Sequence, residues 1–213
     1  GLYKIKSADQ QNQLIHYQKN INPFSLSSNN LASLSKDKNG NLWIGTYGRG
    51  LNKLPKHYQQ LPPDEAQFEK YINQQNDPGS LSNNIVMSII QDNNNNSLWI
   101  GTFGGGLNYF DPVKKRFFAF KNDPINPGSI NKNDILSVFQ DRSGAIWIGT
   151  HLGKGLSKLE RNTIKFRQIN RDVNGVNGLN DDVVWAIYAD NDMNVWIGTY
   201  KGGLNKYDMK KGK

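Results

Sequence analysis

Short apolar runs alternate with polar, turn-forming stretches along the whole chain. Four of these runs precede a turn that starts with aspartate, and each contains about six mostly apolar residues, many of them β-branched. Two apolar columns recur in the four runs: Leu31, Val86, Ile135 and Val184 form the first, and Leu34, Ile89, Val138 and Ile187 form the second. Such runs predict buried β-strands, here called A strands. No segment shows the spacing of about 3.6 residues that indicates an amphipathic helix.

The tetrapeptide Trp-Ile-Gly-Thr follows each turn and recurs about every 50 residues, which is typical of a repeat architecture. Its four copies begin at Trp43, Trp99, Trp147 and Trp196. The turns before them are rich in Asp, Asn and Gly, which favour tight hairpins. Each copy therefore predicts a second strand, B, paired with strand A. The four tryptophans are expected to be structural residues of the core.

Two further strands complete each repeat. A Gly-Leu pair, as at Gly106-Leu107, begins strand C, and an aromatic segment forms strand D at residues 68–71, 117–120 and 164–167. Four antiparallel strands per repeat predict an all-β fold made of β-propeller blades, about four blade-equivalents in all. The first complete repeat has a longer connection between C and D, around residues 55–65, which predicts an extended surface hairpin.

The repeat boundaries predict a single propeller segment with incomplete blades at both ends. The predicted units are a partial blade at residues 1–22, complete blades at 23–72, 73–121 and 122–169, and a partial blade at 170–213. This arrangement indicates a piece of a larger ring, or a ring completed by a second copy. The end faces of such a piece are apolar, so self-association is expected.

The repeat resembles that of the two-component regulator propeller family. The shared pattern is Asp-x-x-Gly-x-x-Trp-Ile-Gly-Thr-x-x-Gly-Gly-Leu, preceded by Leu-Ser-x-Asn-x-Val, and the best match lies at residues 81–84 and 99–108. Two loops depart from it: Arg49 replaces the first paired glycine, and the loop from His151 to Lys154 has one extra residue. The resemblance covers essentially the whole chain.

The resemblance implies an extracytoplasmic sensor region of a bacterial hybrid two-component or diguanylate cyclase receptor. Such regions lie in the periplasm, and the membrane helix and output module belong to other parts of the receptor. The resemblance also implies ligand sensing, often of glycan fragments, rather than catalysis.

Composition narrows the classes of partner. The net charge is +8 and the pI is about 9.5, but the basic residues are scattered and form no stripe with aromatic residues, which argues against a nucleic-acid partner. The absence of cysteine excludes disulfides and thiolate chemistry. The sequence contains no signal peptide and no apolar run of about 18 residues, so membrane attachment is expected only through other parts of the parent protein.

The loops between strands B and C vary while the rest of the repeat stays constant, so they are the candidate ligand site. An aromatic residue or histidine opens each loop, and a basic residue follows in three of them; the candidates are Tyr47, Arg49, Phe103, His151, Lys154, Tyr200 and Lys201. Trp185, which occupies the column of Ala32, Met87 and Leu136 near the channel, is an eighth candidate. Aromatic rings stack on sugar faces, and cations pair with carboxylates or sulfates. Alternatively, the loop rings cover the adjacent blade and Trp185 fills the core.

No enzyme signature accompanies these loops. The three histidines are not in metal-ligand spacing, and neither a nucleophile elbow nor a phosphate-binding loop is present. The run of asparagines after Asp92 is better explained as a turn than as a calcium site. We therefore expect no cofactor and no metal. Ligand sensing is the leading hypothesis, a scaffold propeller is the alternative, and a polysaccharide lyase or hydrolase is the third.

Overall fold

The computed structural model describes residues 1–8, 11–151, 155–160, 165–172 and 178–212, without the side chains of residues 6–8 and 11–13. These residues form five antiparallel sheets. The first sheet pairs β1 (Leu2–Ala8) with β2 (Gln11–Tyr17), and the second contains β3 (Leu31–Lys36), β4 (Leu42–Thr46), β5 (Leu51–Leu54) and β6 (Glu69–Tyr71). The third contains β7 (Val86–Gln91), β8 (Leu98–Thr102), β9 (Gly106–Asp111) and β10 (Arg116–Phe120). The fourth contains β11 (Ile135–Gln140), β12 (Ile146–Thr150), β13 (Leu156–Glu160) and β14 (Lys165–Ile169), and the fifth contains β15 (Val184–Ala189), β16 (Asn194–Thr199) and β17 (Gly203–Asp208).

The prediction of an all-β fold built from four-stranded propeller blades is confirmed. The three complete sheets hold their strands in the order A, B, C, D, each next to the one that precedes it in sequence. The long C-to-D connection adds one element that the sequence reading did not include, a short 3-10 helix at Lys56–Gln60. No helix in the described part of the chain is long and apolar enough to cross a membrane.

The A–B hairpins are fixed by a hydrogen bond between aspartate and tryptophan. In the fourth sheet, the indole Nε1–H of Trp147 donates to Asp141 Oδ2 at 2.7 Å, and the backbone N–H of Ala145 donates to Asp141 Oδ1 at 3.0 Å. The same indole-to-carboxylate bond joins Trp43 to Asp37 (2.8 Å), Trp99 to Asp92 (2.9 Å) and Trp196 to Asp190 (2.8 Å). Each aspartate thus closes its turn and orients the tryptophan of the next strand.

Successive sheets pack face to face, and the repeated glycine permits their close approach. Trp99 and Leu107 lie on the face of the third sheet that is turned toward the C-terminus, and they pack against Ile135 and Ile148 of the fourth. A Cβ atom at Gly101, on the same face as Trp99, would lie 2.5 Å from Ile135 Cγ2. We call this side of each sheet its forward face, and the opposite side its backward face.

The forward face of the last sheet and the backward face of the first are uncovered. Leu204 is 64% exposed, whereas Leu107 at the same column is fully buried beneath the next sheet. At the other end, Tyr3, Ile5 and Leu14 are exposed on the backward face of the β1–β2 sheet. The described residues therefore form an arc of a propeller with an apolar surface at each end.

Candidate functional site

The B–C loops and the ends of the D–A loops lie on one edge of the arc, here called the loop face. The B–C loops of the three complete blades are each bonded to the blade that follows. The backbone N–H groups of Gly48 and Gly50 donate to Asn84 O at 3.1 and 2.8 Å, and those of Gly104 and Gly106 donate to Asn133 O at 3.1 and 2.9 Å. The loop face is consequently assembled across blade boundaries and is sensitive to how neighbouring blades pack.

A polar frame supports each loop, and in the three complete blades it is buried. The side chain of Asn108 is fully buried; its Oδ1 accepts the Ser82 backbone N–H at 3.0 Å and its Nδ2 donates to Ser82 Oγ at 2.7 Å. Thr102 Oγ1 donates to Gly106 O across the base of the loop at 2.8 Å. Asn52 and Ser27 repeat the asparagine–serine pair with distances of 3.0 and 2.7 Å. Because buried polar groups are costly to leave unpaired, this frame holds the variable loop residues on a rigid base.

Three of the predicted residues come together at the last blade. The rings of Trp185 and Tyr200 lie 6.2 Å apart at an angle of 37°, and they are 51% and 64% exposed. The Nζ atom of Lys201 lies 5.7 Å from the Tyr200 ring centroid, and its backbone N–H donates to Asp181 Oδ2 at 3.2 Å. We call Trp185, Tyr200 and Lys201 the aromatic platform.

A β-bulge places Trp185 at the start of its strand. The pairing of β15 with β16 passes from Val184 opposite Thr199 to Ala186 opposite Gly198, so Trp185 is the residue left unpaired. The same irregularity occurs in the other three A strands, at the column of Ala32, Met87 and Leu136. Bulges often redirect a side chain at a functional edge, and here the largest side chain of the column occupies one.

The remaining candidates lie on the other loops. Phe103 and His151 are half-buried with ring centroids 5.4 Å apart, so Phe103 contacts the loop of the next blade. Tyr47 and Arg49 are exposed on the loop of the first complete blade. Lys154 lies outside the described residues. The structure thus gives one exposed aromatic cluster and one ring pair that covers the adjacent blade.

The repeated tryptophans lie away from the loop face, within the sheets. Trp43, Trp99 and Trp147 are buried, and Trp196 is half-buried because no further sheet covers it. Lysine ammonium groups lie over three of the rings, with Nζ-to-centroid distances of 5.6 Å for Lys53 over Trp43, 5.1 Å for Lys158 over Trp147 and 5.5 Å for Lys206 over Trp196. Cation–π contacts of this kind stabilise the ring position.

No arrangement typical of metal binding occurs in the part of the chain that the structure describes. Within the described ranges, no group of three or more His, Asp or Glu residues is placed to hold a metal ion. Asp190, a carboxyl with a perturbed pKa, lies in an A–B hairpin at the opposite edge of the blade. Hydrogen bonds from the Asn194 side chain and backbone and from the Trp196 indole lower its pKa well below the usual value.

The repeats match a known family. The sequence model of the two component regulator propeller matches residues 25–48, 80–104, 129–151 and 178–201. Each match runs from the end of a D–A loop through strands A and B to the start of the B–C loop, and so includes the Trp-Ile-Gly-Thr strand and its aspartate turn. The chain belongs to the two-component regulator propeller family.

Solved structures of extracellular domains of two-component systems have a similar fold. The chain is similar to the extracellular domain assigned to the hybrid two-component system BT3049 from B. thetaiotaomicron, with a TM-score of 0.75 and 25% identity over 93% of this chain. The corresponding domain of BT4673 from the same organism gives a TM-score of 0.70 and 24% identity over 92% of this chain. The chain spans 26% and 23% of the lengths of those two extracellular domains, about a quarter in each case.

More distant propellers share the fold alone. Virginiamycin B lyase from Staphylococcus aureus gives a TM-score of 0.61 with 10% identity, over 94% of this chain and 61% of the lyase. Comparison with curated protein sequences gives no significant match.

Sequence reasoning did not identify the residues that support the loops. The buried asparagine–serine frame has a signal in the sequence: Asn52, Asn108 and Asn205 recur after the Gly-Leu pair, and a polar residue recurs before each A strand. In the last regulator-propeller repeat, Asn205 Nδ2 donates to Asn180 Oδ1 at 2.7 Å. A buried polar residue within an apolar strand, repeated in register, is the feature that predicts such a support.

Proposed function

We propose that this chain is the part of an extracytoplasmic, periplasmic sensor that binds a glycan or another small ligand at the loop face. One observation carries the proposal: Trp185 and Tyr200 are exposed as a ring pair with Lys201 beside them, at the loop face of the last blade. Membership of the regulator propeller family, and similarity to extracellular domains of hybrid two-component systems, support the location and the sensing role.

The platform has the chemistry of a sugar-binding surface. Large aromatic faces offer apolar contact to the C–H faces of a sugar ring at a low cost in side-chain entropy. The Lys201 ammonium adds a hydrogen-bond donor and a positive charge for a hydroxyl, carboxylate or sulfate. This role requires no catalytic step, so we expect the chain to leave a bound oligosaccharide intact; depolymerisation of the ligand would contradict it.

Calorimetric titration with a panel of neutral and sulfated oligosaccharides tests the proposal. We expect Trp185→Ala and Tyr200→Ala to weaken binding about tenfold each, which corresponds to the loss of about one stacking contact. Tyr188→Ala is the matched control, because Tyr188 is an equally exposed aromatic residue of β15 that projects from the forward face and not from the loop face. Equal losses in all three variants, or no loss in the first two, would overturn the site.

Signalling from the loop face would proceed through blade packing. The backbone N–H of Gly155 donates to Asp182 O at 3.1 Å across the boundary beside the platform, so a ligand bound there favours one spacing of these two blades over another. We expect ligand to slow hydrogen exchange of the Gly155 amide. Unchanged exchange at saturating ligand would show that binding is not coupled to the blade boundary.

A scaffold role through self-association is the second candidate, and the uncovered end faces favour it. Leu204 is exposed on the forward face of the last sheet, and Ile5 is exposed on the backward face of the first. The equivalent faces are buried at the boundaries between sheets. Light scattering across a dilution series is expected to show dimers that Leu204→Lys or Ile5→Lys dissociates. A monomer at all concentrations would remove this candidate and leave the ligand site unaffected.

A further inference from the structure

A cavity lies on the outer side of the first complete blade. It has a volume of about 560 Å³ and lies between the D–A loop at Pro23 and Phe24, the 3-10 helix at Lys56–Gln60, and the run into strand β6. This volume is within the range of about 300–1,000 Å³ that is usual for ligand pockets. The cavity is far in sequence from the loop-face residues of the aromatic platform and shares none of them.

The backbone around this cavity is the same in three blades. Phe24, Gly79 and Gly128 occupy one column, and their carbonyl oxygens accept the backbone N–H of the first aromatic residue of strand D at 2.8, 2.8 and 2.9 Å. The N–H groups of the same three residues donate to the side-chain oxygen of the residue two positions earlier, at 2.9, 3.0 and 2.9 Å. The differences between the blades therefore lie in the side chains.

Two departures from the repeat meet at the cavity. In the third sheet, the guanidinium of Arg116 covers Gly79 and forms an ion pair with Asp77 at 2.8 Å. In the first complete blade, the equivalent residues are Gln67, Phe24 and Asn22, so the cation, the glycine and the carboxylate are all replaced. The longer C-to-D connection is the second departure, and it adds His57 and Tyr58 to the cavity wall.

The lining is largely aromatic. Phe24 is 53% exposed, and the ring centroids of His57 and Tyr58 lie 4.2 Å apart with the ring planes inclined at 42°. The two charged residues of the wall are already engaged: Lys70 Nζ donates to Pro23 O at 2.6 Å, and Glu69 pairs with Lys53 at 3.0 Å. Gln67 supplies an exposed amide. Exposed ring faces with an amide suit the C–H faces and hydroxyls of an uncharged sugar.

We propose that this cavity is a second binding site, separate from the loop face, for a neutral mono- or disaccharide. Phe24 is the stacking residue, the His57–Tyr58 pair forms the opposite wall, and Gln67 bonds to sugar hydroxyls. Sugar binding at this cavity accounts for both the longer C-to-D connection and the replacement of glycine by Phe24. Without it, these would be two unrelated changes in a regular repeat.

Saturation-transfer NMR and calorimetry with maltose, cellobiose, lactose and mannobiose test this site on the whole chain. We expect at least one disaccharide to bind, and Phe24→Gly to weaken it about tenfold or more. Glycine is the residue of the two sister blades at this column, so the variant preserves the turn. If Phe24→Gly lowers the thermal midpoint of unfolding, Gln67→Ala replaces it. Gln67 is exposed, and its loss is also expected to weaken disaccharide binding.

The outcomes separate this site from the loop-face proposal. Binding that is lost in Phe24→Gly and kept in Trp185→Ala supports the cavity, whatever happens at the loop face. Binding lost only in Trp185→Ala, or no binding of any of the four sugars at millimolar concentration, overturns it. A proline-rich peptide that binds in place of the sugars, and is lost in Phe24→Gly, would also overturn it by assigning the groove to a peptide.

Discussion

Each repeated tryptophan is positioned from two sides by polar neighbours. An aspartate accepts the indole N–H, as Asp141 does from Trp147, and a lysine or an aromatic residue of strand C covers the ring. At Trp99, the position of the lysine is taken by Tyr109, whose ring centroid lies 4.8 Å away. The tryptophan is therefore specified by hydrogen bonding and by ring contacts in addition to burial.

Loss of a buried aspartate tests this role. Asp141 is nearly fully buried and accepts bonds from Ser143, Ala145 and Trp147. We expect Asp141→Ala to lower the free energy of unfolding by about 1–3 kcal/mol, because the buried indole N–H loses its acceptor. Urea titration followed by tryptophan fluorescence measures it. Asp64→Ala, at an exposed position of the long hairpin, should change it by less than about 0.5 kcal/mol; equal effects would contradict the assignment.

Acid should weaken the last hairpin through Asp190. Hydrogen bonds from Asn194 and Trp196 lower the pKa of this carboxyl below its ordinary value of 3.8. A lowered folded-state pKa contributes stability above the unfolded value, and that contribution disappears as pH falls through the folded pKa. Below about pH 4, the thermal midpoint of the native chain should fall more steeply than that of Asp190→Asn. Because Asp190 is solvent-accessible, the difference should be small; parallel profiles would show no linkage.

At the scale of strands and sheets, small residues on each forward face set the distance to the next sheet. The glycine of Trp-Ile-Gly-Thr faces the A strand of the following blade, and Ser88 Oγ at the adjacent column accepts the Val138 backbone N–H at 3.0 Å. Ser33 Oγ donates to Val86 O at 3.3 Å at the preceding boundary. The blade boundaries therefore combine apolar packing with specific backbone contacts.

The same substitution at two glycines separates packing from backbone effects. We expect Gly101→Ala to lower the free energy of unfolding by about 1–3 kcal/mol, since the new methyl group would overlap Ile135. Gly198→Ala is the matched control: it lies in the uncovered last sheet, and its nearest neighbour would be Ala186 Cβ at 3.5 Å. Its expected change is within about 0.5 kcal/mol. Equal losses of unfolding free energy in the two variants would mean that glycine is needed for the backbone of strand B and not for close packing between sheets.

The strands were predictable because their apolar columns repeat four times, so each blade supports the assignment of the others. The 3-10 helix at Lys56–Gln60 was not predictable, because it lies in a segment that has no counterpart in the other repeats. The exposure of Trp185 could not be predicted from the sequence either, because burial at that column depends on neighbouring groups. Leu136, in the same column, is buried. The pairing of Trp185 with Tyr200 required the bulge, which shifts the register after Val184.

At the scale of the whole molecule, the arc is a series of equivalent boundaries that ends in two uncovered faces. At the internal boundaries, residues such as Leu51, Leu107 and Leu156 are fully buried, whereas Leu204 is exposed. In a repeat architecture, stability is the sum of the repeats and their nearest-neighbour interfaces. The last sheet, which contributes Trp185 and Tyr200 to the platform, has an interface on one side only, so its local stability should be lower than that of the central blades.

Leucine truncation at equivalent positions measures how far this end face is covered in solution. Leu107→Ala should cost about 2–5 kcal/mol, because it opens a cavity between two sheets. Leu204→Ala should cost less than about 0.5 kcal/mol in dilute solution, where the residue is exposed. Chemical denaturation over a range of protein concentrations distinguishes an end face that is covered by a second copy from one that is covered by the chain itself. A cost for Leu204→Ala that grows with concentration means that a second copy covers the face, whereas a large cost at every concentration means that the chain itself covers it and the arc is closed.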